Sequence, residues 1–179
     1  VPNRAWKKKV KGESWYVGDT YHMAIGQGDL LVTPLELATA TVAVANGGVL
    51  YEPRLAAEVI SSENSSLERK IDPSIKTSDF IEGEALRIVR DGMRQTITAG
   101  SGYSTFGRDF NVDVAGKTGT AQFGSEGKTH AWFTSFAPFD NPKLVVTVFI
   151  EGGGEGYQTA APVAKSAFEW YANNVELFE

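Results

Sequence analysis

A chain of 179 residues, 42% hydrophobic and 22% charged, is long enough for one domain with a sizeable core and lies far from the composition of disordered segments. Its net charge of -5 excludes a sequence-wide basic surface, so nucleic acid is not an expected partner. The absence of cysteine excludes disulfides and thiolate metal sites. No uninterrupted apolar run approaches the ~20 residues of a membrane helix, and Val1-Pro2-Asn3-Arg4 does not begin a signal peptide. Any export or anchoring segment is therefore expected outside these residues.

In chain order, Arg4, Lys7, Lys8, Lys9 and Lys11 surround Trp6 with no acidic residue before Glu13, and such a short charge run reads as a solvated face. The clearest helix begins at Thr33-Pro34-Leu35-Glu36, where Thr33 caps, Pro34 takes the first helical position and Glu36 closes a capping box. Its small residues through Ala45 predict a buried, tightly packed helix, stopped by Asn46-Gly47-Gly48. Val49 to Arg54 reads as an extended exit, and Ser61 to Ser66 as a polar loop tip.

A second helix is expected from about Asp79 to Thr98, with Leu86, Val89, Met93 and Ile97 along its inner face and Ala99-Gly100-Ser101-Gly102 ending it. After Gly107 the period changes to two. Val112, Val114 and the following threonines, then Trp132–Ala137, then Leu144–Ile150 read as strands, the last two joined by a turn at Asp140-Asn141-Pro142-Lys143. Short connections make these strands antiparallel. A final helix from Ala161 to about Val175, with Ala164, Ala167, Phe168 and Tyr171 on one face, is suited to lying across that sheet. The fold class is thus α+β: helices, three antiparallel strands, and a C-terminal helix on the sheet.

The stretch Val112-Asp113-Val114-Ala115-Gly116-Lys117-Thr118-Gly119-Thr120-Ala121-Gln122 contains a Gly-Lys-Thr. A phosphate-binding loop would need glycine at position 111, where Asn111 stands, and a helix directly afterwards, where the sequence is β-prone. The alternative is a strand edge bearing Lys-Thr-Gly. Lys117 is then a fixed ammonium, Thr118 a hydroxyl for a substrate carboxylate, and Gly119 a position without a side chain where a ligand backbone can approach.

Lys-Thr-Gly is one signature of the penicillin-binding proteins and their β-lactamase relatives. The chain resembles the penicillin-binding proteins well beyond that tripeptide: Gly18-Asp19-Thr20-Tyr21, Ala24-Ile25-Gly26-Gln27-Gly28, Val32-Thr33-Pro34-Leu35-Glu36-Leu37-Ala38, Ala45-Asn46-Gly47-Gly48 and His130-Ala131-Trp132-Phe133 follow in the family's order. The Trp6-Lys7-Lys8-Lys9 opening and the Gly-Gln-Gly form are most like the penicillin-binding protein 2 group, the class B transpeptidases of cell elongation. The resemblance covers nearly the whole chain.

It implies a transpeptidase that cross-links peptidoglycan stem peptides ending in D-alanyl-D-alanine through a serine acyl-enzyme, and that β-lactams acylate. It implies catalytic roles for Lys117 and for the amide of Thr120, substrate binding by Thr118, Gly119 and Thr120, and no cofactor. The family's Ser-x-x-Lys and Ser-x-Asn motifs are not in their places. Ser125-Glu126-Gly127-Lys128 falls after Lys-Thr-Gly, and Ser62-Glu63-Asn64 lies in a polar loop. Residues 1–179 are therefore expected to be the C-terminal portion of a transpeptidase domain, without the nucleophile and inactive alone. In the family two further strands complete the sheet, so an exposed strand edge, an exposed apolar helix face and self-association are expected of this chain. The parent is expected to be periplasmic, anchored in the inner membrane and to work with a glycan polymerase. The alternatives are a β-lactamase or D,D-carboxypeptidase relative, and a non-catalytic penicillin-recognising sensor or scaffold.

His22 and His130 are too few for a metal site without cysteine, although Asp19 and His22 share a helical face; each reads as a hydrogen-bonded structural histidine. Gly152 to Tyr157 reads as either a mobile rim of the cleft or a plain connector, and Phe123 to Thr129 as a lid hinged at Gly124 and Gly127.

Overall fold

The computed structural model describes residues 1–107, 109–124 and 127–175. Three helices open the chain: α1 (Arg4–Lys11), α2 (Val17–Ala24) and α3 (Pro34–Ala45). Four short strands follow, β1 (Leu50–Tyr51), β2 (Glu58–Ile60), β3 (Leu67–Lys70) and β4 (Ile75–Thr77), with β1 paired to β4 and β2 to β3. Then come α4 (Gly83–Thr98), α5 (Tyr103–Phe106), an antiparallel sheet of β5 (Ala115–Phe123), β6 (Lys128–Ala137) and β7 (Leu144–Ile150), and α6 (Gly156–Asn174).

The sheet is covered on both faces. On one, Phe133, Ala131 and Val114 meet Ala160, Ala161, Ala164 and Phe168 of α6, and the alanines let the helix backbone lie close to the strands. On the other, Phe136 and Ala115 meet Ala45 of α3 and Met93 of α4. Thr41 of α3 is pinned to the sheet by its hydroxyl, 2.7 Å from that of Thr134, which in turn lies 2.7 Å from Thr147. Arg90 of α4 donates to the carbonyls of Ala45 and Phe139 and stacks on the rings of Phe136 and Phe139. One guanidinium thereby caps α3 and ties it to the loop after β6.

Several expectations change in detail. The Thr33 and Glu36 capping box forms as read, but only the second half of α3 is buried: Thr41, Ala43 and Ala45 are inside, whereas Leu35 is exposed. Ile25, Leu31 and Val32 share that exposure. Helix α4 starts at Gly83 rather than near Asp79, because Asp79 takes φ 56°, a left-handed conformation no helix accommodates. Val89 is half exposed while Leu86, Met93 and Ile97 are buried, since at 3.6 residues per turn it sits about 60° round from Leu86. Helix α6 starts at Gly156, five residues before the expected Ala161, with Pro162 inside it. Proline disfavours a helix interior, so the sequence hides those first turns. The polar tip at Ser61–Ser66 joins β2 to β3, two strands too short and polar for the alternation to reveal.

The basic opening departs from its expected solvated face at Lys7, whereas Arg4, Lys8, Lys9 and Lys11 are exposed. Lys7 is not on a solvated face: its side chain is 6% exposed and its ammonium lies 2.7 Å from Asp19 of α2, with Glu13 at 3.6 Å and the Tyr16 ring beneath it at 4.7 Å. Lys11 pairs with Asp29 at 2.6 Å. The hydrogen bond with Asp19 raises the Lys7 pKa above its ordinary 10.5. The bond from Lys7, joined by one from the Tyr16 amide, lowers that of Asp19 below 3.8. A depressed carboxyl stabilises the fold above its unfolded pKa and loses that contribution as pH falls through its folded one; a raised ammonium contributes fully below its unfolded pKa and loses it as pH rises through its folded one. The gap in thermal midpoint between the wild type and Asp19→Asn is therefore expected to stay flat between the ordinary values of 3.8 and 10.5 and to narrow beyond either. A gap that narrows near neutrality would contradict this pairing.

Candidate active site

Strand β5 is an edge of its sheet among the described residues, paired only with β6. Antiparallel pairing turns both backbone groups of alternate residues to the same side. The carbonyls of Thr118 and Thr120 point away from β6 and are taken by side chains: Lys117 Nζ donates to Thr118 O at 2.7 Å, and Gln27 Nε2 to Thr120 O at 3.1 Å. The amides of the same two threonines share that open edge.

The alternation of the strand separates the functional groups by face. Lys117 is exposed and lines a cleft of about 470 Å³ with Leu37, Thr41, Met93 and Thr134, between α3, α4 and the sheet. The hydroxyls of Thr118 and Thr120 turn to the opposite side. Thr118 Oγ1 lies 2.8 Å from Ser101 Oγ in the loop after α4, and Thr120 Oγ1 donates to Glu155 Oε2 at 2.8 Å just before α6. A cation and two hydroxyls thus flank one stretch of strand backbone that has no strand partner on that side among the described residues, an arrangement suited to holding an extended, anionic ligand along the edge.

Gly119 lies between them, opposite Trp132. A β-carbon there would stand 3.1 Å from Trp132 Cβ, so its bare Cα also makes room for the cross-strand indole. Gly156 is fitted more tightly. A β-carbon on it would come within 2.3 Å of Trp132 O and 2.4 Å of Gly119 O, so the first residue of α6 rests directly on the backbone of the site.

The four residues singled out in the sequence, Lys117, Thr118, Gly119 and Thr120, fall together on this edge. Ser62 and Asn64 do not join them; they sit at the tip of the β2–β3 hairpin, where Asn64 accepts from the Ser66 amide. Ser125 and Glu126 lie outside the described residues, and Lys128 begins β6 opposite Phe123. Of the Phe123 to Thr129 lid, Phe123, Lys128 and Thr129 belong to strands, and Gly124 and Gly127 take φ 65° and 67°.

Gln27, Ser101 and Glu155 were not assigned roles from the sequence. Gln27 carried a signal, since Gly26 and Gly28 at φ 69° and 73° hold it in a fixed turn. The glycine run before α6 is tied down rather than free: Gly152 N donates to His130 Nδ1 and Gly154 N to Thr129 O, both at 3.1 Å, and the loop delivers Glu155 to the site. His130 is also stacked on Phe123 at 3.8 Å, as a structural histidine would be. His22 is exposed instead, and the Asp19 beside it is committed to Lys7.

Comparison with known proteins bears on this geometry. A family model described as the penicillin binding protein transpeptidase domain matches residues 4–169. The peptidoglycan D,D-transpeptidase MrdA of Haemophilus influenzae is 39% identical over 97% of this chain and 29% of its own length. That of Salmonella typhimurium is 31% identical over 94% and 29%. Among solved structures, Pseudomonas aeruginosa PBP2 in complex with WCK 5153 matches with a TM-score of 0.80 and 30% identity over 98% of this chain and 38% of that one. PBP2 in complex with MreC from Helicobacter pylori matches with 0.77 and 31% identity over 97% and 31%. The chain spans 29% of the length of these two curated relatives. With the α+β architecture and the Lys-Thr-Gly strand in their places, the chain belongs to the penicillin-binding protein transpeptidase family and is similar to its PBP2 members.

Proposed function

We propose that residues 1–179 are the C-terminal portion of a PBP2-type transpeptidase domain and supply the Lys-Thr-Gly half of its acyl-transfer site. The observation that carries this is the edge of β5, where Lys117 and the hydroxyls of Thr118 and Thr120 flank a strand backbone with no strand partner on that side among the described residues. In the full protein a serine outside this chain attacks the penultimate D-alanyl carbonyl of a stem peptide. The peptide C–N bond breaks and D-alanine leaves with a proton. An amine of a second stem then attacks the ester, forming the cross-link and returning the proton to the serine.

Each residue of the edge has a role in that sequence. Lys117 supplies positive charge beside the nucleophile's hydroxyl partner and the substrate carboxylate. Thr118 and Thr120 hydrogen-bond the carboxylate, Gly119 leaves the edge open to the ligand backbone, and the amide of Thr120 is one oxyanion donor. One donor of an oxyanion hole is worth roughly 3 kcal/mol at the transition state, so this half of the site does not turn over alone. A β-lactam imitates the donor and leaves the serine acylated. A place in cell-wall elongation, outside the inner membrane and beside a glycan polymerase, belongs to the same reading; among the PBP2 structures to which this chain is similar, one was solved in complex with MreC.

The test gives the full-length protein a donor peptide ending in D-alanyl-D-alanine and an amine acceptor. A new amide between them with release of D-alanine is expected. Hydrolysed donor as the sole product would make the protein a carboxypeptidase, and no reaction at all would favour a sensor or scaffold.

A further inference from the structure

The carboxylate of Glu155 stands where the proposed reading puts the carboxylate of the ligand. We propose that Glu155 is a specificity-determining residue: an internal anion that holds the Thr120 hydroxyl in the resting site and must be displaced by an incoming anionic ligand, setting how strongly that ligand's own carboxylate is favoured. The inference rests on the reading of β5 as the acyl-transfer edge.

Three observations carry it. A threonine hydroxyl has one proton to donate, and because a carboxylate only accepts, the 2.8 Å contact commits that proton to Glu155 Oε2. Thr120 cannot donate to a ligand carboxylate at the same time. Glu155 is exposed and sits between Gly154 and Gly156, so its side chain can swing out while the backbone stays pinned by the Gly154 and Thr159 hydrogen bonds. The charge also matters after the swing. A carboxylate tethered at the mouth of an anion-binding edge repels anionic ligands through solvent at a range that salt screens.

The experiment measures second-order acylation of the full-length protein by a β-lactam bearing a free carboxylate, for wild type, Glu155→Gln, Glu155→Ala and, in parallel, Lys117→Ala. Both Glu155 variants are expected to react about three- to tenfold faster at low ionic strength, and the gain is expected to shrink towards wild type in about 1 M salt as the Debye length falls to roughly 3 Å. Equal or slower acylation in both variants, with Lys117→Ala still abolishing it, would overturn the role of Glu155 and leave the site intact. Unimpaired acylation of Lys117→Ala would overturn the site reading, and this inference with it. A gain in Glu155→Ala that Glu155→Gln does not share would mean that Glu155 acts by bulk and not by charge, which also overturns the proposal.

Discussion

Replacing Lys117 by alanine is expected to lower the β-lactam acylation rate of the full-length protein by at least about a hundredfold, the scale on which removal of one preorganised electrostatic group is felt at an acyl-transfer site. Lys117 is the cation at the open edge of β5, and its ammonium donates to the carbonyl of Thr118. The substitution therefore removes the charge that favours the ligand carboxylate and the developing anion, and it frees a backbone acceptor on the edge. Lys117 is exposed, so the loss should appear in acylation with an unchanged thermal midpoint. A comparable loss of stability would instead make the lysine a structural tie.

Gly156→Ala is expected to cost about 2–3 kcal/mol, towards the upper part of the range for overpacking a close-packed site. The added carbon has nowhere to go: the atoms it meets at 2.3 and 2.4 Å are main-chain oxygens of Trp132 and Gly119, which cannot rotate aside. Relief requires lifting the start of α6 from β5 and β6, which also draws Glu155 away from Thr120. Gly92→Ala is the matched control. It lies in α4 with nothing within 4 Å of an added carbon, so it is expected to stabilise by up to about 1 kcal/mol through helix propensity. Denaturant unfolding of both variants checks the pair, and equal effects would contradict the packing described at Gly156.

The parts of the fold visible in the sequence are those governed by local rules. Thr33 and Glu36 announce a capping box four residues wide, and β6 and β7 announce themselves by β-branched and aromatic alternation, because these signals need no distant partner. The Lys-Thr-Gly strand was legible for the same reason. Lys7 departs from the expectation because its burial depends on Asp19 of α2 and on Tyr16, which precedes that helix, meeting it in the fold. The partners of the site were invisible on the same ground: Gln27 reaches Thr120 across 93 positions, Glu155 across 35, and Ser101 reaches Thr118 across 17. A glutamate in a glycine run carries no local mark of the hydroxyl it will meet.

The most direct test of the central claim is the intact mass of full-length wild type and Lys117→Ala, side by side, after brief exposure to a β-lactam, followed by peptide mapping of the adduct. One adduct is expected per wild-type molecule, on a serine outside residues 1–179, with only a trace on the variant in the same time. An adduct on a serine within residues 1–179, or equal labelling of the two proteins, would contradict it.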